Sequence, residues 1–509
     1  MLMTAADYRE SLRAYSPRVF VNGNRVESVA DEPLFTPGVN AVGITYDLAH
    51  QSEHAALMTA RQGTSGKTVN RMVHIDETST DLLYKLEAVR LVCKISGCAQ
   101  RYLTHDGLNA IYQATRRTDD AHGTDYSQRF LHYLHDIQDR DLTLGVAMTD
   151  AKGDRSKRPG DQENPDVYVH VKERRPDGIV ISGTKAIVTG APYMHEFLVM
   201  PCRTHTKQDA DFAVCCAVPV DAPGVTIIAR PAGNPGNAAA KFSAKYGQSV
   251  GVVIFEDVFV PHDRVFLNGE YDEGGFMTIS YATHHRHSCI GARAGFGDLL
   301  IGASSLMIEA NGLDPDRHGH IRDAMVELIT ITESFFACGV AASVYCQKDP
   351  VGSVMPDPVF SNIGKLLLAT KIYDMHRIAH YVSGGLVVSL PGPDEDHNPE
   401  TEASLAAVLG GHPDIPAAQR MEVSRLVEDL TASHQAGWYS VISLHGGGSP
   451  EAMKREIWRN YPIIEKTELV ERLLDRGVLN DGQAVTGQPG RCCDTGCEVP
   501  EPPTSPDQS

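Results

Sequence analysis

The sequence predicts an α+β protein in three parts: a helical domain over residues 1–140, a β domain over 141–274 and a helical-bundle domain over 275–480. Three observations predict this. Apolar residues recur at helical spacing up to about Leu142, short β-type runs bounded by turn residues fill the next stretch, and helical spacing returns from Gly275. At 509 residues there is chain enough for two or three domains with ample core.

In the first part, a short amphipathic helix is expected from Ala5 to Tyr15 behind the cap-like Thr4. A longer one follows over Thr78–Ser96, where Leu82, Leu83, Leu86, Val89 and Val92 keep helical spacing, and another runs through Leu108–Ile111. In the second part, VYVHVK and GIVISGTKAIV read as strands joined by the turn Pro176-Asp177-Gly178, and the pattern continues through 197–200, 212–218, 225–229 and 250–260. Short strands at this spacing predict a barrel or sandwich. In the third part, helices are expected over 281–312, 321–346, 361–381, 417–435 and 451–474, interrupted by a Pro/Gly-rich surface loop over 391–416. The last residues, 481–509, have few large apolar side chains and read as a disordered tail. Its Cys492, Cys493 and Cys497 read better as spare thiols than as a metal site.

Composition narrows the function classes. A formal net charge of −19 argues against nucleic-acid or anionic-membrane partners. The first 30 residues lack a signal peptide's apolar core, no run of 18 uncharged apolar residues is present, and the 11 cysteines are scattered. The expectation is a cytoplasmic protein with reduced thiols.

The 281–312 segment carries the densest chemistry. Its first turns hold His284, His285, Arg286, His287, Cys289 and Arg293 at one end of an otherwise apolar helix. His285 and Cys289, four apart, share a face and could serve one metal or one substrate. Arg286 and Arg293, seven apart, could grip an anion. A solvated helix start with incidental histidines explains any single residue, whereas the cluster favours a site. Elsewhere, Met148-Thr149-Asp150-Ala151-Lys152-Gly153 follows a strand and offers a hydroxyl and backbone N–H groups to a flat heterocycle such as a flavin, with Thr189-Gly190 one hairpin later. Ser383-Gly384-Gly385 could admit a diphosphate or simply cap a helix. His445-Gly446-Gly447-Gly448-Ser449-Pro450 sets an imidazole beside a flexible loop.

The order of helices, β domain and helices resembles the acyl-CoA dehydrogenase architecture, in which a flavin lies between a central β-barrel domain and a C-terminal four-helix bundle. The motifs MLMTAADYRESL, GKTVNRMVH, AMTDAKGDRS, KAIVTG, FVPHDRVFL, HHRHSCIGARAGFGDLLIG, SGGLVVSLP and HGGGSP resemble more specifically the family that joins 4-hydroxybutyryl-CoA dehydratases with flavin-dependent 4-hydroxyphenylacetate 3-monooxygenases, the dehydratase branch being closer. That resemblance implies bound FAD and a homotetramer, with flavin contacts at Thr149, Asp150, Lys152, Thr189, Ser383, Gly384 and Gly385.

The departures are as informative. The dehydratases hold an iron–sulfur cluster with three cysteines and a histidine. Here Cys98 and His285 stand at two of those positions, but Tyr102 and Ala292 stand at the others, so a cluster is not expected. The dehydratases' two glutamates correspond to Val250 and Ile442, and their catalytic tyrosine and lysine to Cys289 and Arg293. The phenol-gripping set of the monooxygenases is absent as well, with Leu103, Gly107 and Val146 nearby.

The first reading is therefore a reduced-FAD monooxygenase served by a separate flavin reductase, acting on a small aromatic or similar substrate. The alternative is an acyl-CoA dehydratase or isomerase, and the third a catalytically silent flavoprotein. In the first reading His285 is a neutral general base beside Arg286, Arg101 and Arg293 anchor an anion or carbonyl, Cys98 and Cys289 line the pocket, and His445 joins the catalytic set.

Overall fold

The computed structural model describes residues 2–350 and 352–474, so the tail with its three cysteines lies outside the described residues. Both expected helix starts are capped as their sequences require. Thr4 caps Ala5–Leu12 and Thr78 caps Ser79–Ser96, each paired with an aspartate three residues on in a reciprocal capping box. The chain then runs through Tyr102–His122 and Tyr126–Arg140 into the β region.

The β region is two open sheets. The larger has six strands in the order Asn24–Val26, Arg18–Val21, Val225–Ala229, Val250–Pro261, Gly178–Thr189 and His170–Arg175. Its first two strands come from the N-terminal stretch, and Arg18–Val21 pairs in parallel with Val225–Ala229. The smaller orders Val265–Asn268, Val214–Pro219, Glu196–Val199 and Leu144–Ala147. Their facing apolar residues, among them Val19, Ile181, Ile227 and Val253 on one sheet and Phe197, Val199 and Val218 on the other, form one core. The expected barrel is not formed, because the N-terminal hairpin occupies one edge of the large sheet instead of a strand that could close it. Among the described residues the sheets are bridged at one corner only, by Asp150 and Lys185.

The third part is built around Gly274–Ala310, which begins seven residues earlier than the sequence implies and is hereafter the central helix. Gly319–Val344 and Pro358–Ser383 pack along it. Each of the two later helices expected from the sequence is broken into two. Ser433 ends one segment and caps the next, giving Ala417–Thr431 and His434–His445. Pro462, which cannot continue a helix interior, separates Pro450–Asn460 from Ile463–Leu473. The 391–416 loop contains the short helix Glu402–Val408. Gly319–Val344 is long and apolar enough to cross a membrane by length and composition, and about a third of its most apolar window is buried against its neighbours.

Ser79–Ser96 from the N-terminal part crosses the central helix at backbone contact. A Cβ on Gly291 would lie 2.6 Å from the carbonyl oxygen of Leu86, and one on Gly295 would lie 2.5 Å from that of Arg90 and 2.6 Å from the amide of Lys94. On the opposite side Ile290 fills the space over Gly339 and Gly364, whose Cβ atoms would meet it at 2.8 and 2.5 Å. The glycines in GARAGFG thus serve close packing, which outweighs the roughly 0.5–1 kcal/mol each costs in a helix interior.

Gly295→Val should lower stability by at least about 1–3 kcal/mol, because the obstructing atoms are backbone and cannot rotate away. Gly302→Ala is the control: it sits in the same helix where a Cβ meets nothing, and should be neutral or stabilise by up to about 1 kcal/mol. Urea unfolding of both variants checks this; equal midpoints would remove the close crossing from the account.

Candidate functional site

Three segments converge where the helices cross. Ser79–Ser96 stops at Gly97, whose φ of +70° turns the chain. That turn places Cys98 beneath the central helix, and Tyr102–His122 then starts back, presenting Tyr102 and Asp106 one turn apart. The central helix answers with His285, Cys289 and Arg293 on one ridge, all buried.

The hydrogen bonds fall into three neighbouring groups. Cys98 Sγ lies 3.2 Å from the Tyr102 hydroxyl and accepts from Gln248 Nε2 at 2.6 Å. His285 Nδ1 lies 3.0 Å from Asp106 Oδ2, and His285 Nε2 lies 3.5 Å from Cys289 Sγ. The imidazole is stacked between Tyr281, at 5.4 Å and 11°, and Tyr102, at 6.1 Å and 20°. Asp106 Oδ1 accepts from the Ser288 hydroxyl at 2.6 Å, and the fully buried Lys85 ammonium lies 3.8 Å away. Arg293 spreads over the Tyr439 ring at 4.3 Å and donates through Nε to Ser443 at 2.7 Å, while its buried Nη1 has no partner. Lys365 donates to the Ser443 carbonyl at 2.7 Å.

Burial and charge pull these groups in opposite directions. Burial alone would lower His285, but the Cys289 thiolate and the hydrogen bond to Asp106 raise it to about 9. The ring is therefore an imidazolium at neutral pH, contrary to the neutral base expected from the sequence. The guanidinium of Arg286 points elsewhere, donating to the Gly447 carbonyl at 2.9 Å and to Asn362 at 2.8 Å. Burial would raise Cys289, yet the His285 charge and hydrogen bond bring it below its ordinary value. Cys98 is raised by burial and lowered further by a hydrogen bond from Cys93, the charge of Arg293 and the Tyr102 hydroxyl, ending at about 6. Lys365, lowered first by burial and then by Arg293 and Arg286 against the Cys289 thiolate, reaches about 7.

The other residues singled out in the sequence are dispersed. Arg101 is fully buried but faces away from the cluster. Its guanidinium lies 3.8 Å over the Tyr46 ring and donates to the Asp141 carboxylate at 2.5 Å. That ion pair, made through Nη2 alone, ties the start of Tyr102–His122 to the entry of the β region, while the buried Nε and Nη1 of Arg101 have no hydrogen-bond partner. His445 is exposed at the end of its helix, and it is the bare backbone of Gly447 that covers the cluster: a Cβ there would lie 3.2 Å from His285 Cδ2. Asp150 is committed to Lys185 at 2.7 Å and to the Val169 amide. Lys152 is half-buried, with its own amide donating to the Val167 carbonyl at 3.1 Å. Thr149 is exposed and Thr189 half-buried, on adjoining strands either side of the half-exposed Ile187.

Ser383, Gly384 and Gly385 border a separate cavity of about 430 Å³ with Asn311, His320 and Arg420, and the buried Ser383 hydroxyl has no partner there. Asn311 donates to the Ser383 carbonyl just past the end of the central helix, about 27 Å along its axis from Arg293 at 1.5 Å per residue. The Ser383–Gly385 turn therefore lies well along the central helix from the Cys98–His285–Arg293 cluster. Asp106, Lys85 and Lys365 are not among the residues that the sequence singles out. The only advance sign of Asp106 was a polar ridge of Tyr102, Asp106, Asn109 and Gln113 within a buried helix.

Family models described as 4-hydroxyphenylacetate 3-hydroxylase N terminal and C terminal match residues 4–267 and 275–475. The chain is 35% identical over 489 residues to 4-hydroxybutyryl-CoA dehydratase/vinylacetyl-CoA-Delta-isomerase of Clostridium aminobutyricum, covering 93% of this chain and 99% of that one. The structure of an oxygen-tolerant archaeal 4-hydroxybutyryl-CoA dehydratase from N. maritimus superposes with a TM-score of 0.90 at 33% identity, covering 96% and 97% of the two chains. The oxygenase component of a 4-hydroxyphenylacetate 3-monooxygenase, solved with FAD and 4-hydroxyphenylacetate, shares the fold with a TM-score of 0.82 at 22% identity, over 93% and 98%.

The His285–Asp106 pair gives stability a defined pH dependence. Its folded value of about 9 lies above the ordinary 6.5, so the pair's contribution is complete below about pH 6.5 and is lost as pH rises through 9. Asp106→Asn should cost roughly 3–5 kcal/mol by stranding buried charge and should move the His285 titration, followed by NMR of its ring proton, to lower pH. An unmoved titration would refute the pairing.

Proposed function

The chain belongs to the 4-hydroxyphenylacetate 3-hydroxylase family, and on that premise we propose that it is a flavin-dependent enzyme of the acyl-thioester branch that shifts a carbon–carbon double bond by proton transfer. The observation that carries this reading is a buried lysine held at about 7, Lys365, in the same cluster as an arginine with an unpartnered N–H, Arg293. A base matched to neutral pH removes a proton next to a thioester carbonyl, and the guanidinium receives the charge that develops on oxygen. The proton returned to the far carbon comes from the lysine ammonium so formed or from the His285 imidazolium. Such a shift expels no hydroxyl and therefore needs no Lewis acid.

The iron–sulfur cluster of the resemblance does not fit these residues. Ala292 offers no donor, and the Tyr102 phenol is already the partner of Cys98. FAD fits better. The hydroxyls of Thr149 and Thr189 beside exposed Ile187 suit the edge of a flat ring, and the Ser383–Gly385 turn, with an orphaned buried hydroxyl and, at Gly384 and Gly385, open space where Cβ atoms would stand, suits a diphosphate. When bound, a flavin supplies a reversible electron acceptor over the substrate. The reading includes a homotetramer in which neighbouring copies share each flavin. In its support, Ile463–Leu473 buries none of its side chains and exposes Ile464, Leu469, Val470 and Leu473.

A second reading, the reduced-FAD monooxygenase with a separate reductase, is favoured by the family description. The cluster weighs against it: Cys98, mostly thiolate at neutral pH, is the group that a flavin-borne hydroperoxide would oxidise first.

The test is a mixture of flavin-loaded protein with vinylacetyl-CoA in D₂O. Proton NMR should show conversion to the conjugated isomer with deuterium at the far carbon, and Lys365→Met should slow it roughly a hundred-fold or more at unchanged flavin content. Oxygen uptake that depends on a phenol and reduced FAD, without any isomerisation, would transfer the assignment to the second reading.

A further inference from the structure

We propose that Cys289, His285 and Asp106 form a nucleophile–base–orienting triad that takes up the acyl group of a thioester substrate as a covalent thioester on Cys289. The substrate class rests on the reading above; the triad rests on its own geometry. Cys289 Sγ stands 3.5 Å from His285 Nε2, and His285 Nδ1 stands 3.0 Å from Asp106 Oδ2. With the carboxylate on Nδ1, that nitrogen carries a proton and Nε2 is the one that exchanges a proton with the thiol. Tyr281 and Tyr102 both stack near-parallel to the ring, and Ser288 and Lys85 hold the second oxygen of Asp106, which restrains the base and its orienting group.

Packing alone does not account for this arrangement. A buried thiol needs only apolar neighbours, whereas this one has an imidazole and a fully buried carboxylate behind it, which cost desolvation. Two further features point to a ligand. Arg293 lies one turn past Cys289 on the same ridge, and its Nη1 is buried without a partner, as a donor awaiting an oxyanion would be. The covering segment is Gly446-Gly447-Gly448, which brings no side chain over His285. Beyond it Arg286, whose Nε holds the Gly447 carbonyl, lines a cavity of about 320 Å³ together with Thr278, Ile279, Ala282 and Ser449. Arg286 thus stands between this cavity and the glycine segment that covers His285.

The step balances without any oxidant or reductant. The Cys289 thiolate attacks the carbonyl carbon, forming an S–C bond while the carbonyl electrons move to oxygen beside Arg293. Collapse breaks the C–S bond to the departing thiol, which takes the proton from His285 Nε2. Water then adds to the acyl-enzyme, giving its proton to His285, and the Cys289 S–C bond breaks to release a carboxylic acid.

The experiment uses full-length flavin-loaded protein and butyryl-CoA, which has no double bond to shift. Acid quench followed by peptide mass spectrometry should find one butyryl group on Cys289, with release of free CoA. Cys338→Ser, a half-buried thiol elsewhere in the fold, should keep the adduct. Cys289→Ser should lose it, and Asp106→Asn should slow its formation roughly ten-fold or more. Should either of those variants misfold, the site of the adduct in the unaltered chain decides by itself. A butyryl group on Cys98 or Cys338, or none on Cys289, overturns the triad. Vinylacetyl-CoA isomerisation that persists without the adduct leaves the proton-transfer reading standing, and an adduct without isomerisation sinks that reading while upholding the triad.

Discussion

The backbone contact between Ser79–Ser96 and the central helix is the constraint on which the rest depends. At Gly291 and Gly295 there is no space for a β-carbon, so the two helices lie closer than ordinary ridge-into-groove packing permits. This closeness fixes where Ser79–Ser96 ends. Gly97 then turns the chain directly under the central helix, which sets Cys98 within the field of Arg293 and starts Tyr102–His122 with Asp106 aimed at His285. The glycines contact no substrate, yet widening the crossing by one methyl group would separate the thiols from the cations that shift them.

The same crossing explains how so many buried charges are tolerated. Lys85, Asp106 and His285 would each be costly alone in a low-dielectric interior. Here the carboxylate lies between two cations and a hydroxyl, and the imidazolium between a carboxylate and a thiolate. Each group's charge is conditional on its neighbours. This is why Arg286, adjacent in sequence to His285, is the wrong residue from which to judge its protonation: its guanidinium is spent on the Gly447 carbonyl and Asn362.

Local pattern made much of the fold legible. Capping residues, turn signals and apolar spacing placed the main helices and strands because those depend on near neighbours, and Ser433 and Pro462 mark the breaks that spacing alone passed over. Closure of the sheet was not legible, since it depends on the distant N-terminal hairpin taking an edge. The ridge of His285, Cys289 and Arg293 could be read from spacing for the same local reason. Its partners Asp106 and Lys365 lie 179 residues before His285 and 78 before Ser443 respectively, and no short-range pattern ties them together. Arg101 and His445 stand out by residue type and nearness to a motif, but type does not reveal that one is drawn to Asp141 and the other left exposed at a helix end.

The site's charge balance bears on what it can hold. Arg293, Lys365 and His285 surround two thiols, so the cluster has more donors than fixed acceptors, and Arg293 Nη1 is left without a partner. A substrate whose oxygen becomes negative during reaction supplies the missing acceptor at the moment of need, and a thioester carbonyl does so on either loss of a neighbouring proton or attack by sulfur. A phenol activated towards oxygenation needs instead an acceptor for its own proton and an oxidation-resistant wall. The thiols next to Arg293 provide the opposite. With Tyr102 and Ala292 in the cluster, the buried set is one of acids, bases and nucleophiles in which His285 is held between Asp106 and Cys289 while Arg293 keeps one buried N–H unpartnered.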